Sequence, residues 1–508
     1  MPIKNKILDT KNLKKLRNKF TGKKIVLCHG VFDLLHVGHI DYFKSAKKYG
    51  NILIVSVTND QFVNKGPGRP AFSINNRIKF LQEIECIDYL HISNDSTAEK
   101  VIKNLKPNFY CKGIDYSKNQ IKNDTNLKKE INGLKKNKGK FKIISEVNFS
   151  SSQFINENDL QNFSKDCKKY INSVRKKLNL NQIIQSLDLI KKKKVLIIGE
   201  TMIDKYITTE TVGKSGKEPM LVLKPKEEIK FLGGATYIAN LCSSFIKNIK
   251  ILSFLGKENT EKKFILKNLN KNVKYNFLLK KNSPTINKLR YLDEYKKTKI
   301  IGVYDLNDDL ISQSEEKKFY SLLKRNIKKF DIIIVSDYGH GIITEKIRKL
   351  IMQKNQKVFL NTQINSFNRG YHTVFKYKKV NTLVINEGEL RYELRDKHSK
   401  IQKLAKALLK KISVKNIIVT RGKYGSVLIN KKNNLSISCP AFYQNNIDAV
   451  GAGDTFFGIC ALAIGSKLDN RLSMMMAAIS AGFAIDHIGN KSYYNFQTLK
   501  KHLTHIFK

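Results

Sequence analysis

Two short segments of the sequence carry residue types that could transfer a phosphorus-containing group, and the first runs from His29 to His39. Its glycines would let the backbone approach a phosphate, and a helix after it would present free N–H groups to an anion. His36 and His39 can donate hydrogen bonds to a phosphoryl group whose charge grows in the transition state. A His-x-x-His pair could instead bind zinc, but the neighbouring sequence offers no third ligand, which favours phosphoryl chemistry.

The second segment runs from Asp448 to Gly458. Gly451, Ala452 and Gly453 precede a long apolar stretch, and small residues ahead of a helix expose N–H groups that can stabilise a phosphoryl group in transfer. Asp454 is placed to accept a proton from the attacking hydroxyl group. The alternative, an Asp that only caps a buried helix, explains Asp454 but not the three small residues before it.

The first segment resembles the signature of the nucleotidylyltransferase superfamily. The resemblance implies that His36 and His39 stabilise the α-phosphate of a nucleoside triphosphate while a substrate phosphate attacks it. Further residues follow in the order seen in sugar-phosphate adenylyltransferases and glycerol-phosphate cytidylyltransferases. By this resemblance the nucleotide and its phosphates would contact Gly30, Phe32, Asp33, Lys65, Arg69, Arg77, Lys112, Ser151 and Ser152. The turn at the last two residues lacks the isoleucine and threonines usual in that family.

The second segment resembles the signature of ribokinase-like (PfkB-type) sugar kinases. The resemblance implies that Asp454 is the catalytic base and that residues 451–453 form an anion hole. The sugar would contact Asp204, Gly233, Gly234, Asn240, Arg290 and Asp337. ATP and its Mg²⁺ would contact Asn386, Glu389, Arg421, Gly422 and Asp448. We expect no metal site made by the protein alone.

Together the two segments are similar to the family of bifunctional heptose-7-phosphate kinase/heptose-1-phosphate adenylyltransferases. That resemblance implies ATP-dependent phosphorylation of a sugar phosphate, heptose 7-phosphate at O1 in the familiar case, and nucleotidyl transfer to a sugar 1-phosphate with release of pyrophosphate. The product would be an ADP-heptose-like activated sugar, and the assembly a homodimer through the kinase domain. CTP is the alternative nucleotide at the first site, with a kinase of other sugar specificity.

Three features depart from the pattern of that family. The transferase segment precedes the kinase segment, the reverse of the familiar arrangement, and His340 stands where Lys is common. Asn361, Thr362 and Gln363 replace an Asp-Pro-Lys stretch. These changes border the substrate and nucleotide regions, so the identity of the sugar stays open. A degenerate, regulatory kinase half is a further alternative, and the intact Asp454 argues against it.

The elements that must position these segments are strands alternating with helices. Apolar runs predict strands at 24–28, 52–57, 89–92, 109–112, 195–199, 249–255, 332–336, 358–360, 382–385, 417–420 and 426–429. This alternation predicts parallel sheets with right-handed crossovers. We therefore predict an α/β protein with a Rossmann-like nucleotidyltransferase domain (1–150), a helical connector (151–194) and a ribokinase-like three-layer α/β/α kinase domain (195–508).

The 508-residue chain is strongly basic, with 94 Lys and Arg against 43 Asp and Glu and a formal net charge of +51. A nucleic-acid-binding protein is therefore an alternative of another class. Only 12 of the basic residues are Arg, which nucleic-acid readers favour, and the excess is spread evenly along the chain. Solvated lysines explain this better than a binding face. We expect sugar phosphates and nucleotides as partners, without nucleic acid or membrane.

Cysteine usage and hydropathy indicate the compartment. The seven Cys form no CxxC pair, which fits a reducing environment. The first residues lack the apolar core of a signal peptide, and no apolar stretch reaches the roughly 20 residues that a membrane helix needs. The sequence predicts a cytoplasmic protein.

Overall fold

The computed structural model of the chain describes residues 6–8, 13–63, 69–113, 125–144, 163–354, 357–432, 435–442, 448–485, 489 and 494–507. Apart from residues 504–507, they belong to two compact units, one within residues 1–162 and the other within residues 163–503. Each unit has its own sheet and its own apolar core, as independent domains require.

The described part of the first unit is built on a parallel sheet of six strands in the order β1-β4-β3-β2-β5-β6. The strands are β1 (Ile7–Leu8), β2 (Ile25–Gly30), β3 (Ile52–Thr58), β4 (Tyr89–Ser93), β5 (Phe109–Gly113) and β6 (Lys140–Ile144). The helices are α1 (Leu13–Lys19), α2 (Val37–Lys47), α3 (Ile74–Gln82), α4 (Glu99–Leu105) and α5 (Thr125–Lys136). Alternate residues of β2 and β3 enter two separate cores, because helices cover both faces of the sheet.

Strand β2 lies in the middle of this sheet, and its two neighbours place the first candidate site. The chain continues from β2 to β3 on one side, whereas β5 pairs with β2 on the other side, with Cys28 opposite Cys111. A crevice forms where successive connections leave a parallel sheet in opposite directions. The loop between β2 and α2, which ends at His36, lies at this crevice together with the first turn of α2, which contains His39.

The second unit contains a larger sheet, of nine strands among its described residues, in the order β11-β10-β7-β14-β15-β16-β17-β18-β19. These strands are β7 (Lys194–Gly199), β10 (Asn248–Gly256), β11 (Val273–Lys280), β14 (Ile332–Asp337), β15 (Val358–Thr362), β16 (Lys379–Asn386), β17 (Ser413–Thr420), β18 (Ser426–Asn430) and β19 (Ser436–Cys439). The pairing is parallel up to β17, and the last two strands are antiparallel. The prediction of an α/β protein with a Rossmann-like and a ribokinase-like part is confirmed.

Helices of the second unit cover this sheet and supply its core. They are α6 (Lys165–Arg175), α7 (Leu180–Lys191), α8 (Gly234–Ser243), α9 (Lys262–Asn268), α10 (Gln313–Asn326), α11 (Glu345–Met352), α12 (Glu387–Leu394), α13 (Ile401–Lys411), α14 (Ala452–Gly465), α15 (Asn470–Ile485) and α16 (Phe496–Phe507). None of the described helices is long and apolar enough to cross a bilayer.

Helices α6 and α7, from the stretch predicted as a connector, belong to the second compact unit. The hydroxyl of Tyr170 on α6 donates to the backbone oxygen of Arg471, and the ring of Tyr170 meets Phe442 edge-on. Capping by Asn179 and Gln182 starts α7.

A second sheet in the same unit, called the lid sheet below, has the order β13-β12-β8-β9. Its strands are β8 (Thr201–Lys214), β9 (Leu221–Gly233), β12 (Ile286–Asp293) and β13 (Lys299–Asp305). The apolar runs did not predict these strands; in β9, five of the 13 residues are charged and most of the strand is exposed. The lid sheet matters for the second site because β8 and β12 carry several of its side chains.

Candidate active sites

Asp454 lies in the first turn of α14 and is buried. Its Oδ1 accepts a hydrogen bond from the hydroxyl of Tyr338 at 2.7 Å. Burial raises the pKa of Asp454 to about 6, although the Tyr338 hydrogen bond opposes this shift. Such a carboxylate is ionised at neutral pH and is still basic enough to take a proton in a transition state.

Glycines shape the turn that leads into α14. Gly451 precedes the helix with a φ of 82°, a left-handed conformation that glycine adopts without strain. A Cβ added at Gly453 would meet nothing within 4 Å, so the start of the helix faces open space there. The first N–H groups of a helix lack acceptors within it and attract an anion. An anion hole formed by Gly451, Ala452 and Gly453 stays a prediction.

A basic side chain of β12 lies close to this point. The Nζ of Lys288 is 5.6 Å from the ring centres of both Tyr304 and Tyr338. Burial lowers the pKa of Lys288, while the carboxylates of Asp204 and Asp454 act in the opposite direction, so its ammonium lies within electrostatic range of both acids.

Four of the predicted sugar-binding residues meet beside the lid sheet. The Nη1 of Arg290 donates to Oδ1 of Asp204 at 2.6 Å. A Cβ on Gly233 would lie 2.5 Å from Oδ2 of Asp204, and one on Gly234 would lie 2.6 Å from the backbone oxygen of Glu200. Both positions therefore require glycine, and the close approach brings the start of α8 against Asp204.

The loop after β14 is held by two buried acids. Asp337 accepts a hydrogen bond from the hydroxyl of Tyr377 at 2.7 Å. Glu200 accepts from the backbone N–H groups of Tyr338 at 3.0 Å and His340 at 3.1 Å. Burial, followed by the charge of Asp337, raises the pKa of Glu200. These contacts favour a role for Asp337 in shaping the loop over direct contact with a sugar.

His340 is buried in that loop beside a small pocket that Lys280 and Asn307 also line. Among the described residues neither ring nitrogen of His340 has a hydrogen-bond partner. Burial, with Lys288 and Lys280 nearby, lowers the pKa of His340 to about 3. The imidazole is therefore neutral, so the replacement of Lys by His removes a charge at this position.

The predicted nucleotide side contains a capping box and an ion pair. Oε2 of Glu389 accepts from the N–H of Asn386 at 2.9 Å, and burial raises the pKa of Glu389 to about 7. Arg421 donates through Nε to Glu387 at 2.8 Å, and Gly422 has a φ of 53°. Among the described residues no three His, Cys, Asp or Glu side chains are grouped to hold a metal ion.

Two further predicted residues have partners within the fold. The carboxylate of Asp448 accepts from the side chains of Tyr206 and Lys299, both on the lid sheet. Asn240 bridges α8 to the turn at 268–270, donating at 2.7 Å and accepting at 2.9 Å. The sugar contact of Asn240 stays a prediction.

The altered stretch 361–363 forms the end of β15 and the residue after it. Asn361 donates through Nδ2 to the backbone oxygen of Val384 at 3.0 Å, and the N–H of Gln363 donates to the oxygen of Asp337 at 3.0 Å. The replaced residues are therefore integrated in the sheet and in the loop that carries Tyr338.

In the first unit, His36 precedes α2 and its Nδ1 accepts from the N–H of Gly38 at 3.1 Å. A neutral imidazole that accepts at Nδ1 carries its hydrogen on Nε2, so His36 can donate to a phosphate through Nε2. The ring centres of His36 and His39 are 4.2 Å apart. The two predicted catalytic histidines therefore lie side by side.

The loop before these histidines has an unusual backbone. Phe32 and Leu34 have φ values of 47° and 42°, which non-glycine residues rarely adopt. The ring of Phe32 packs at 5.0 Å from Phe43 and 5.9 Å from His39, and a Cβ on Gly30 would lie 3.1 Å from that ring. The ring of Phe32 thus packs edge to face against His39, and Gly30 leaves room for that ring.

Asp33 and Arg69 form a buried pair. The Nε of Arg69 lies 2.7 Å from Oδ2 of Asp33. The carboxylate of Asp33 also accepts from the N–H groups of Ala71 at 2.8 Å and Phe72 at 3.0 Å. Asp33 therefore anchors the segment that follows the undescribed residues 64–68.

Arg77 is almost fully buried in α3. Its guanidinium donates to the backbone oxygens of Val31, Thr58 and Phe72 and to Oδ1 of Asp60 at 2.6 Å. These contacts favour a positioning role for Arg77, which holds the loop after β2, over direct contact with phosphate.

Lys112 reaches the end of β2 from β5. Its Nζ donates to the backbone oxygen of His29 at 3.2 Å. The ring of His29 bonds through Nδ1 to Ser56 at 3.1 Å, and Ser56 bonds to His91 at 3.1 Å, so a polar ladder crosses β2, β3 and β4. Burial, with a contribution from Lys112, lowers the pKa of His29 to about 3. Lys65, Ser151 and Ser152 lie outside the described residues.

A comparison with protein families agrees with the geometry at Asp454. The pfkB family carbohydrate kinase profile matches residues 192–492, which is more than half of the chain. The chain belongs to the pfkB family. The cytidylyltransferase-like profile matches residues 27–164, so the cytidylyltransferase-like part precedes the pfkB part along this chain.

Curated relatives of this pfkB family member are proteins named bifunctional protein HldE. The one from Aliarcobacter butzleri (strain RM4018) is 28% identical over 309 residues, 59% of this chain and 63% of that protein. The one from Geobacter metallireducens (strain ATCC 53774 / DSM 7210 / GS-15) is 43% identical over 101 residues, 20% of this chain and 21% of that protein. The longer match thus spans less than two thirds of the relative's length.

Solved structures support the fold of the pfkB unit. Ribokinase from Giardia lamblia has a TM-score of 0.51 at 16% identity, covering 61% of this chain and 98% of that chain. Phosphofructokinase-2 from Escherichia coli in complex with potassium has a TM-score of 0.51 at 14% identity, covering 62% of this chain and all of that chain. At such identities the likeness concerns the fold alone.

Three residues of the pfkB site did not emerge from the sequence as site residues. Lys288 precedes Arg290 by two positions, and alternation along β12 would have placed both on one face of the strand. Tyr338 and Glu200 become relevant only through contacts between distant segments, with Asp454 and with the loop after β14. A single sequence gives no direct signal for such contacts.

Proposed function

We propose that the second unit phosphorylates a hydroxyl group of a sugar phosphate with ATP, and that the first unit transfers a nucleotide to a sugar 1-phosphate. The observation that carries the first activity is the buried Asp454, which lies in the first turn of a helix whose start faces open space. Family membership supports the same reaction.

In the kinase step the acceptor hydroxyl attacks the γ-phosphorus of ATP, its proton passes to Asp454, and ADP leaves. The N–H groups after Gly451 bind the charge that develops on the transferred group. Tyr338 orients the carboxylate of Asp454 through its hydroxyl. Magnesium enters with ATP as part of the substrate, and Asn386 with Glu389 organises that side of the site.

The acceptor is proposed to be a sugar phosphate, with heptose 7-phosphate phosphorylated at O1 as the specific candidate. Lys288 and Arg290 support an anionic acceptor, because both basic side chains lie on the strand next to Asp204. Cations near the acceptor would offset the repulsion between its phosphate and ATP.

In the transferase step the phosphate of a sugar 1-phosphate attacks the α-phosphorus of ATP, and pyrophosphate leaves. Nε2 of His36 donates to the α-phosphate, and Lys112 at the neighbouring strand end adds a positive charge. The product would be an ADP-heptose-like sugar. CTP is the alternative nucleotide, and the match to the cytidylyltransferase-like family supports this alternative.

Several finer points belong to the same proposal. The domain limits 1–150, 151–194 and 195–508, a homodimer through the kinase unit, a cytoplasmic location and an order of domains opposite to that of the family are predictions. The HldE names of the relatives support the joint occurrence of two activities.

The test uses two variants of the full chain. Asp454→Asn should abolish phosphate transfer from ATP to a panel of hexose and heptose phosphates while leaving nucleotidyl transfer intact. His36→Ala combined with His39→Ala should do the reverse. Mass spectrometry of the products formed with ATP or CTP and Mg²⁺ identifies the sugar and the nucleotide. Loss of both activities in either variant would contradict two independent sites.

A further inference from the structure

The carboxylate of Asp448 is saturated by four donors. Oδ1 accepts from Nζ of Lys299 at 2.6 Å and from the N–H of Val450 at 3.1 Å. Oδ2 accepts from the hydroxyl of Tyr206 at 2.7 Å and from the N–H of Gly489 at 3.1 Å. A carboxylate has about four acceptor positions. A direct bond from Asp448 to Mg²⁺ or nucleotide would therefore have to displace one of these partners.

The four donors come from two different parts of the second unit. Lys299 begins β13 and Tyr206 lies on β8, both in the lid sheet. Val450 and Gly489 lie beside the turn that leads into α14. Asp448 thus joins the lid sheet to the segment that ends, three residues later, at Gly451.

A second contact between the same two parts runs through aromatic rings. The ring of Tyr206 meets Phe231 of β9 edge-on, with 5.6 Å between centres. A Cβ added at Gly489 would lie 2.3 Å from the ring of Phe231, and Gly489 has a φ of 70°. Phe231 therefore packs directly on the residue whose N–H binds Asp448, and only glycine fits there.

The charge of the Asp448 carboxylate is balanced by Lys299, so the link between Asp448 and the lid sheet depends on this lysine. Burial raises the pKa of Asp448, but the hydrogen bonds from Lys299 and Tyr206 outweigh it and hold the pKa below its usual range. The carboxylate is 3% exposed, whereas the Lys299 side chain is 41% exposed. Lys299 is thus the partner that can leave into water, and its loss would leave a buried charge with one cation fewer.

We propose that Lys299 and Tyr206 are positioning residues that tie the lid sheet through Asp448 to the turn before the anion hole. The position of the lid sheet then sets the geometry of the N–H groups that receive the transferred phosphoryl group. The proposal rests on the proposed kinase activity only for its effect on rate, since the tie itself is a property of the protein without substrates.

The first measurement is hydrogen exchange of the full chain without ligands. Lys299→Met should speed exchange in peptides covering residues 448–455 by about tenfold, because loss of a charged hydrogen bond weakens this segment. Lys226→Met is the matched control, because Lys226 forms a lid-sheet ion pair with Glu210 at 2.8 Å that does not involve Asp448. Unchanged exchange at 448–455 in Lys299→Met would overturn the tie, whether or not the kinase is active.

The second measurement is the kinetics of phosphate transfer. Lys299→Met and Tyr206→Phe should each lower kcat about tenfold while the KM for ATP changes less than twofold, because each variant loses a hydrogen bond to the charged carboxylate of Asp448. Lys299→Arg should restore most of the rate, and Lys226→Met should behave like the wild type. A kcat unchanged in Lys299→Met, or a rise in the KM for ATP as the main effect, would overturn the positioning role.

Discussion

The two candidate sites differ in whether a charged residue lies at an open helix start. In the first unit the predicted phosphate-binding residues are Asp33, Arg69 and Arg77. They form hydrogen bonds and ion pairs with the backbone and with other side chains of the same unit. In the second unit Asp454 lies beside Lys288 and Asp204, and the helix start at Gly453 faces open space. Charged residues whose partners all lie within the fold stabilise a loop. A charged residue at an open helix start can instead contact a ligand.

The largest expected effect concerns the charges locked inside the first unit. Arg77→Met should destabilise that unit by about 3 to 5 kcal/mol, because it leaves Asp60 without its cation and three backbone oxygens without a donor. Hydrogen exchange of each unit's peptides in the full chain measures the change. Lys79→Met, at an exposed position of the same helix, is the control. Equal exchange in both variants would mean that Arg77 is not structural.

The pH dependence should separate the two sites. Asp454 must be ionised to accept a proton, and its pKa is raised to about 6. The kcat/KM for phosphorylation should therefore be constant above pH 6 and fall about tenfold per unit below it. Nucleotidyl transfer, which uses hydrogen-bond donors, should lack this ionisation. Circular dichroism must verify that the protein stays folded, and parallel profiles for both activities would contradict the assignment.

The basic side chain next to Asp454 should act on acceptor binding. Lys288→Met should raise the KM for a phosphorylated acceptor about tenfold, the size expected for one charged hydrogen bond, and leave the KM for ATP unchanged. Steady-state kinetics with varied acceptor measures this. Lys217→Met removes the same charge from an exposed lid position and should have no effect. An unchanged acceptor KM would remove Lys288 from the site.

The smallest effect on stability compares two glycines with open space around them. Gly453 in the second unit and Gly133 in the first would each accept a Cβ that meets nothing within 4 Å. Either substitution to Ala should stabilise its helix by about 0.5 to 1 kcal/mol. Only Gly453→Ala should slow phosphate transfer, because its methyl group would enter the space proposed for the phosphoryl group. Full kinase activity in Gly453→Ala would show that the transferred phosphoryl group does not lie next to Gly453.

The sequence predicted the parts of the fold that rest on regular apolar runs. The buried strands β2, β3, β7 and β14 were placed to within a residue or two, because they are continuous runs of Ile, Val and Leu. The lid sheet was not predicted, since β9 has no continuous apolar run in its centre and is recognisable only by its pairing with β8.

The site residues also fall into those that the sequence indicates and those that only the fold indicates. His36, His39 and Asp454 could be proposed as catalytic residues from the sequence because each stands in a short contiguous motif. The roles that the contacts favour for Arg77 and Asp448 could not, because several of their partners are distant in the chain, up to 46 positions for Arg77 and 242 positions for Asp448. Residue type indicates that a side chain is charged, and only the fold shows which groups bind to that side chain.

One of the connections between the main sheet and the lid sheet is a single residue. Strand β7 ends at Gly199 and β8 begins at Thr201, so Glu200 alone separates them. Its carboxylate also holds the N–H groups of Tyr338 and His340. Glu200 therefore links the start of the lid sheet, through the backbone and hydroxyl of Tyr338, to the carboxylate of Asp454.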